Sequence, residues 1–285
     1  MKKPFSFRDP THLNNEFHKQ KLKELYTVNP DAAILTSLYD NDLEDFTVTN
    51  SETDTADETE LNSIPEPLTS LFEPQLINNN PEEIQSECRE FYYEYKNGYC
   101  DSQYKNLTKV IREQRLSTAW QIHRAGRITA SVSKRAYSLN LNNENSKKKF
   151  TESIMQYSTN ITVRAQQYGI DKEAAARKKF VEVFTKNHEN VIVKETGLHV
   201  SEEYPFMGAS SDALVLCKCH GLGVLEIKCP YKYSSGLDDV ECDKTFPTDW
   251  DGNMKTNHQY YFQIQQQMIV TNTKFGYFFV WSDKN

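Results

Sequence analysis

Residues 206–230 constrain the fold more than any other stretch of this chain. Gly208-Ala-Ser-Ser-Asp212-Ala-Leu-Val leads through a turn with Gly221 and Gly223 into Gly223-Val-Leu-Glu226-Ile-Lys228-Cys-Pro230. Apolar runs joined by a glycine turn predict a β-hairpin, with strands over Phe206–Cys217 and Gly221–Cys229. Residues two apart on a strand share a face, so Glu226 and Lys228 project together while Leu225, Ile227 and Cys229 face the other side. The hairpin can bring Asp212 alongside Glu226. Two converging carboxylates make a hard-oxygen site suited to Mg²⁺ or Mn²⁺. A lysine beside them can orient and activate a water and stabilise charge on a phosphate. A surface strand with an ordinary Glu–Lys pair is the plainer reading, because Glu-x-Lys alone is common. Against it, apolar strands seldom carry two charges without a use for them.

The flanking periodicities place this hairpin in an α/β core with a mixed sheet. Helices are expected over Thr108–Ala125 and Ile128–Leu139, the second capped by Thr129 or Ser131. The polar run LNLNNENSKKK after it reads as a solvated loop. Asp171–Lys186 predicts a helix and Val191–Val200 a strand. His258–Val270 is helical again, and Phe275–Trp281 reads as a near-continuous apolar strand.

Charge divides the chain in two. Residues 1–90 hold 7 Lys and Arg against 19 Asp and Glu, whereas residues 91–285 hold 26 against 21. The first part is therefore read as an acidic, mostly irregular or linker region, with a short amphipathic helix at 11–27. Two copies of Leu-Thr-Ser-Leu-aromatic-acid, at 35–40 and 68–73, are either docking motifs or chance. The ordered domain is expected over 105–285. No stretch approaches the roughly 18–20 apolar residues of a membrane span. Six cysteines and no apolar signal core point to an intracellular, reducing compartment. Cys217-Lys-Cys219-His220, with Cys229 and Cys242, has the ligand types for zinc. Its Cys-x-Cys-His spacing, however, is not the usual two-residue gap between paired ligands.

The hairpin string SSDALV…GVLEIKCPY resembles the Asp…Glu-x-Lys core of the PD-(D/E)XK nuclease superfamily, in particular its YqaJ-like viral recombinase group, which includes phage lambda exonuclease. Trp120-Gln-Ile-His-Arg124-Ala-Gly126-Arg-Ile-Thr129-Ala130-Ser131 is similar to that group's early W-x₃-R-x-G-x-I-T-A-S segment. Gly169-Ile-Asp-Lys-Glu173-Ala-Ala-Ala176-Arg177 resembles its G-x₃-E-x₂-A-R helix. Tyr261-Phe-Gln263-Ile-Gln265-Gln-Gln-Met268-Ile-Val-Thr271 resembles its Q-x-Q-x₂-M-x-V-T helix. The motifs run in family order over 108–282. Ser211 and Ala213 stand where the family commonly has Pro and Gly around the first metal Asp.

The resemblance implies a restriction-endonuclease-like fold and a Mg²⁺- or Mn²⁺-dependent deoxyribonuclease, a 5′→3′ exonuclease on double-stranded DNA ends. It further implies Asp212, Glu226 and the Ile227 main-chain carbonyl as metal ligands, and Lys228 as the residue that orients the attacking water. Glu173 and Gln263 would complete the catalytic site. Arg124, Ser131 and Ser210 would hold the 5′-phosphate, with Trp120 against the terminal nucleotide. Plainer roles exist for each: a Glu173–Arg177 salt bridge, Trp120 in the core, Arg124 as a solvated charge, Ser131 as a cap, and Gln263 and Gln267 as exposed amides. An endonuclease or a catalytically silent DNA-binding module with the same fold remains an alternative. Implied partners are a single-strand annealing or recombination protein and further copies of the chain. Relatives usually continue with another helix or more beyond the position of Trp281, so the sequence is read as either a fragment or a C-terminally shortened member.

Overall fold

A computed structural model describes residues 64–72, 75, 80–99, 101–112, 117–156, 164–237, 240, 243–249 and 251–284. Those within 64–249 and 254–284 fall in one compact unit. The helix expected at 11–27 and the first Leu-Thr-Ser-Leu copy lie outside the described residues. The second copy forms a single 3-10 turn, Leu68–Leu71.

Helix α1 (Pro81–Gly98) starts with a capping box. Asn80 accepts from the Glu83 amide at 2.9 Å, and Glu83 accepts from the Asn80 amide at 3.3 Å. The acidic region thus already contains the start of a helix, and α1 sinks Tyr95 into the fold. Next come α2 (Asp101–Val110) and α3 (Thr118–Arg124). The single helix expected over Thr108–Ala125 is therefore two, because Ser117 caps a new start by accepting from the Trp120 amide.

Residues 128–139 also depart from expectation. Ile128–Thr129 is a short strand, β1, drawn out by pairing with a later strand at Met207 and Gly208. A 3-10 turn (Ala130–Val132) follows, then α4 (Ser133–Tyr137). Ser131 lies inside that turn and caps no α-helix. The lysine-rich run expected as a loop forms α5 (Glu144–Ile154). Asn143 caps it by accepting from the Ser146 amide at 3.0 Å, and Phe150 anchors it in the interior. The long helix α6 spans Arg164–Phe184.

Six strands complete the core with one more helix. They are β2 (Ile192–Lys194), β3 (His199–Val200), β4 (Met207–Ala209), β5 (Ala213–Cys217) and β6 (Gly221–Lys228), then α7 (Gln259–Val270), then β7 (Phe275–Val280). With β1 they form two sheets, ordered β1-β4-β3 and β2-β5-β6-β7. In the larger sheet β2, β5 and β6 run antiparallel and β7 lies parallel to β6, with Glu226 opposite Phe278. The expected mixed sheet is present.

Two predicted strands each break and change sheets. Val191–Val200 breaks at Gly197, which lies so close to the end of α2 that a Cβ would be 2.5 Å from the Thr108 carbonyl oxygen and 2.7 Å from that of Ile111. Phe206–Cys217 breaks at Ser210-Ser211-Asp212, between β4 in one sheet and β5 in the other. One face of the larger sheet (Ala213, Val215, Cys217, Leu225, Ile227, Cys229) packs on Ala176, Phe180 and Phe184 of α6. Helix α7 packs on β6 and β7, and also on β4. Gln266 fixes the latter contact, donating to the Ile128 and Gly208 carbonyls at 2.6 and 3.0 Å. Among the described residues no helix is long and apolar enough to cross a membrane.

Candidate active site

Asp212 lies at the break between β4 and β5, where the chain leaves one sheet for the other. Its amide donates to the Leu225 carbonyl at 3.1 Å, and its Oδ2 accepts from the Ile227 amide at 2.6 Å. β6 therefore holds Asp212, by its amide and by its carboxylate, from both sides of Glu226. Glu226 is itself 1% exposed. Its Oε1 accepts from Lys228 Nζ and from Gln263 Nε2, the latter at 2.7 Å, and its Oε2 accepts from Gln267 Nε2 at 2.6 Å. The alternation expected on β6 holds: Glu226 and Lys228 share one side, while Leu225, Ile227 and Cys229 line the core on the other.

Gln263 and Gln267 are one turn apart on α7, so both amides reach the same carboxylate. Gln267 has no exposed surface. The sequence pattern suggested an exposed amide there, and the structure corrects it. The missed signal was the helix spacing itself: two amides at i and i+4 facing a buried acid. Tyr260, one turn before Gln263, places its ring 5.1 Å from Lys228 Nζ.

Burial, then the nearby Glu226 charge, pushes the Asp212 carboxyl well above the usual carboxylate range, while Lys228 acts in the opposite direction. Burial works against the Lys228 ammonium, but the Glu226 and Asp212 charges outweigh it and hold Lys228 protonated beyond the ordinary lysine range. Glu173, on α6, is close enough for its charge to raise Asp212 further. It also makes the salt bridge anticipated on spacing alone, accepting from Arg177 at 2.6 Å, and Arg177 bridges onward to Glu195.

The donor set tests the implied metal. Asp212 and Glu226 present carboxylate oxygens, hard donors that suit a divalent cation such as Mg²⁺ or Mn²⁺. The residues fit such an ion.

A second group adjoins this one through Ser210, two residues before Asp212. Trp120 Nε1 donates to Ser210 Oγ at 2.9 Å, and the Arg124 guanidinium lies 4.0 Å from the centre of the Trp120 ring. Burial lowers the Arg124 pKa to about 10, so this half-buried guanidinium is partly desolvated rather than a fully solvated helix charge. Ser131 is exposed at the end of β1, its hydroxyl 3.3 Å from that of Thr129. Trp120, Arg124 and Ser210 are thus in one cluster, whereas the Ser131 hydroxyl pairs with Thr129. Next to it, Arg127 is 1% exposed and donates to the Pro205 and His123 carbonyls and to the Tyr95 hydroxyl. Nothing in its sequence context marked it for burial.

Cys229 lies in the core beneath the sheet, away from Cys217 and Cys219, and Cys242 lies outside the described residues.

Residues 119–274 match the family model of the YqaJ-like viral recombinase domain. No curated protein matches the chain. Among solved structures the chain is similar to an alkaline exonuclease (LHK-Exo) from Laribacter hongkongensis. Identity is 24% and the TM-score 0.44, over 59% of this chain and 76% of that one. The same exonuclease in complex with dAMP gives 23% and 0.42, over 57% and 72%. The shutoff and exonuclease protein from Kaposi's sarcoma-associated herpesvirus gives 18% and 0.32, over 51% and 29%.

Proposed function

The chain belongs to the family of YqaJ-like viral recombinase domains, and on that premise we propose that it is a metal-dependent deoxyribonuclease degrading linear double-stranded DNA from its 5′ ends. One observation carries the reading. A buried carboxylate, Glu226, is clasped by three donors from β6 and α7 at the point where Asp212 enters the same hairpin. Such spending of buried polar groups on one acid is costly unless the acid has a task.

A bound Mg²⁺ or Mn²⁺ would supply Lewis-acid polarisation of a phosphodiester and a more acidic water. Asp212 and Glu226 would hold it, with the Ile227 carbonyl as a further oxygen. Gln263 and Gln267 fix the Glu226 rotamer, so that its oxygens are oriented before substrate arrives. Lys228 stays an ammonium, and therefore donates. It orients the attacking water and stabilises the charge that builds on the phosphate oxygens. Glu173 adds a further acid on the α6 side. Arg124, stacked on Trp120 and next to Ser210, is a pre-oriented cation for a terminal phosphate, with the indole surface available to the terminal base. The excess of Lys and Arg over residues 91–285 supports backbone contacts without base readout.

Linear duplexes labelled at the 5′ or at the 3′ end test the polarity. Early release of the 5′ label, faster from a 5′-phosphate than a 5′-hydroxyl, is expected. Early release of the 3′ label, or equal cleavage of closed circles, would overturn the exonuclease assignment.

A further inference from the structure

At the far end of the catalytic hairpin, four ligand-type side chains from two separate segments converge. Cys217 ends β5, Cys219 and His220 form the turn into β6, and His188 comes from the loop after α6. Their ligand atoms all lie within 4.8 Å of one another. Cys217 and Cys219 sulfurs are 3.6 Å apart. His188 Nδ1 is 3.2 Å from Cys219 Sγ and 3.8 Å from Cys217 Sγ, and His220 Nδ1 is 3.6 Å from Cys217 Sγ. A tetrahedral zinc with Zn–S near 2.3 Å and Zn–N near 2.0–2.1 Å has edges of about 3.3–3.8 Å. Four of the six spacings, 3.2–3.8 Å, fall at or near those edges, and the other two stay within 4.8 Å. We propose that Cys217, Cys219, His188 and His220 form a Cys₂His₂ site for a structural Zn²⁺.

The chemistry differs from that of the carboxylate site. Two thiolates and two imidazoles suit a borderline-soft ion and not Mg²⁺. Sequence spacing disfavoured a zinc site because Cys-x-Cys-His alone lacks a paired arrangement. The fourth ligand is supplied from 29 residues before Cys217, which no local motif reveals. Aromatic rings flank its two histidines. Phe184 of α6 stacks on the His188 ring at 3.7 Å, and Phe275 of β7 lies 5.6 Å from His220. These rings restrict water on the histidine side and help fix ligand orientation. The turn is already clasped to the α6 loop, since the Lys218 amide donates to the Glu189 carbonyl at 3.0 Å. Gly221, with φ +80°, makes the tight return into β6.

Five residue steps along β6 lead from Gly221 to Glu226, about 17 Å of strand. The ion would therefore be structural, with no part in the reaction. It would staple the C-terminal end of α6, the helix that carries Glu173, to the hairpin that carries Asp212 and Glu226. That would fix the hairpin's position against the helix.

The test uses the full chain, purified without chelator, with metal content read by mass spectrometry. About one Zn²⁺ per chain is expected, as in four-ligand structural sites. Cys219→Ser and His188→Gln should lose it, while Asp212→Asn and Cys88→Ser keep it. Co²⁺ in its place should give a thiolate charge-transfer band, absent in Cys219→Ser. Zinc at a thousandfold excess over its Kd should raise Tm by about 8–16 °C over the chelated chain. Wild-type protein provides a control that needs no variant: Cys219 is exposed, so zinc should slow its alkylation and chelator restore it. Metal lost from Asp212→Asn but kept in Cys219→Ser would overturn the proposal. So would metal-free protein with a Cys217–Cys219 disulfide, or equal alkylation with and without zinc.

Discussion

Gly276 offers a mechanical test of how α7 sets up the acidic site. It lies on β7 under α7, and a Cβ there would sit 2.3 Å from Ile264 Cγ2 and 3.1 Å from Met268 Sδ. Carbon contacts settle at about 3.5–4.0 Å, so Gly276→Ala must push helix and strand apart by about 1 Å. Ile264 is buried and cannot turn away. Overpacking of this kind costs about 1–3 kcal/mol, which lowers Tm by about 2–12 °C in a domain of this size. The larger consequence falls on the chemistry, because Ile264 stands between Gln263 and Gln267. Shifting it draws both amides away from Glu226. A misplacement of about 1 Å near a reacting centre costs about a hundredfold in rate. Nucleotide release from linear duplex, measured well below the variant's Tm, should therefore fall far more than the loss of folded protein explains. Gly98→Ala is the control, since a Cβ there meets nothing within 4 Å. Adding Ile264→Ala removes the obstructing methyl, so the double variant should be more stable than the summed single losses imply. Wild-type Tm and rate in Gly276→Ala would refute the idea that α7 is seated tightly enough to position the amides.

Three further expectations follow from the same geometry. Asp212 has a folded-state pKa above its unfolded value, so its ionisation destabilises the fold at all pH above the folded pKa, and the penalty disappears below the ordinary carboxylate value. Without divalent cation, Asp212→Asn should have a higher urea midpoint than wild type at pH 7–8, with the gap closing as pH falls towards 4 or below; a lower midpoint at pH 7–8 would contradict the direction of the shift. Arg127→Met leaves the Pro205 and His123 carbonyls and the Tyr95 hydroxyl without their donor, so stability should drop by at least about 3 kcal/mol in urea unfolding, and an unchanged midpoint would contradict that role. Arg124→Lys keeps the charge but loses the flat face held on Trp120. Preference for 5′-phosphate over 5′-hydroxyl ends should then fall about tenfold or more, and an undiminished preference would place the phosphate elsewhere.

The residues that were legible in the sequence are those whose environment is set locally. Strand alternation alone put Glu226 and Lys228 on one side, and the apolar run at 275–280 does form a strand parallel to β6, although a half-buried one at the sheet's edge. Helix α7 falls within one residue of its expected start. What failed depends on contacts made across the fold. Gly197 breaks a strand because the end of α2 arrives against it, and Asp212 ends another because the chain changes sheets there. Ser117 and Asn143 are strong helix caps lying within runs read respectively as helix interior and as loop. Gln267 and His188 show the same limit at the level of function. Each is an unremarkable polar residue until a distant partner, Glu226 or the Cys217 turn, is brought to it.

The central claim is that Asp212, Glu226 and Lys228 form a metal-dependent hydrolytic site for DNA. The most direct measurement is nucleotide release from linear 5′-phosphorylated duplex, with Mg²⁺ or with chelator, by wild type and by Asp212→Ala. Release that needs the cation and is at least about a hundredfold slower in Asp212→Ala is expected. Equal release with chelator, or an undiminished rate in the variant, would contradict it.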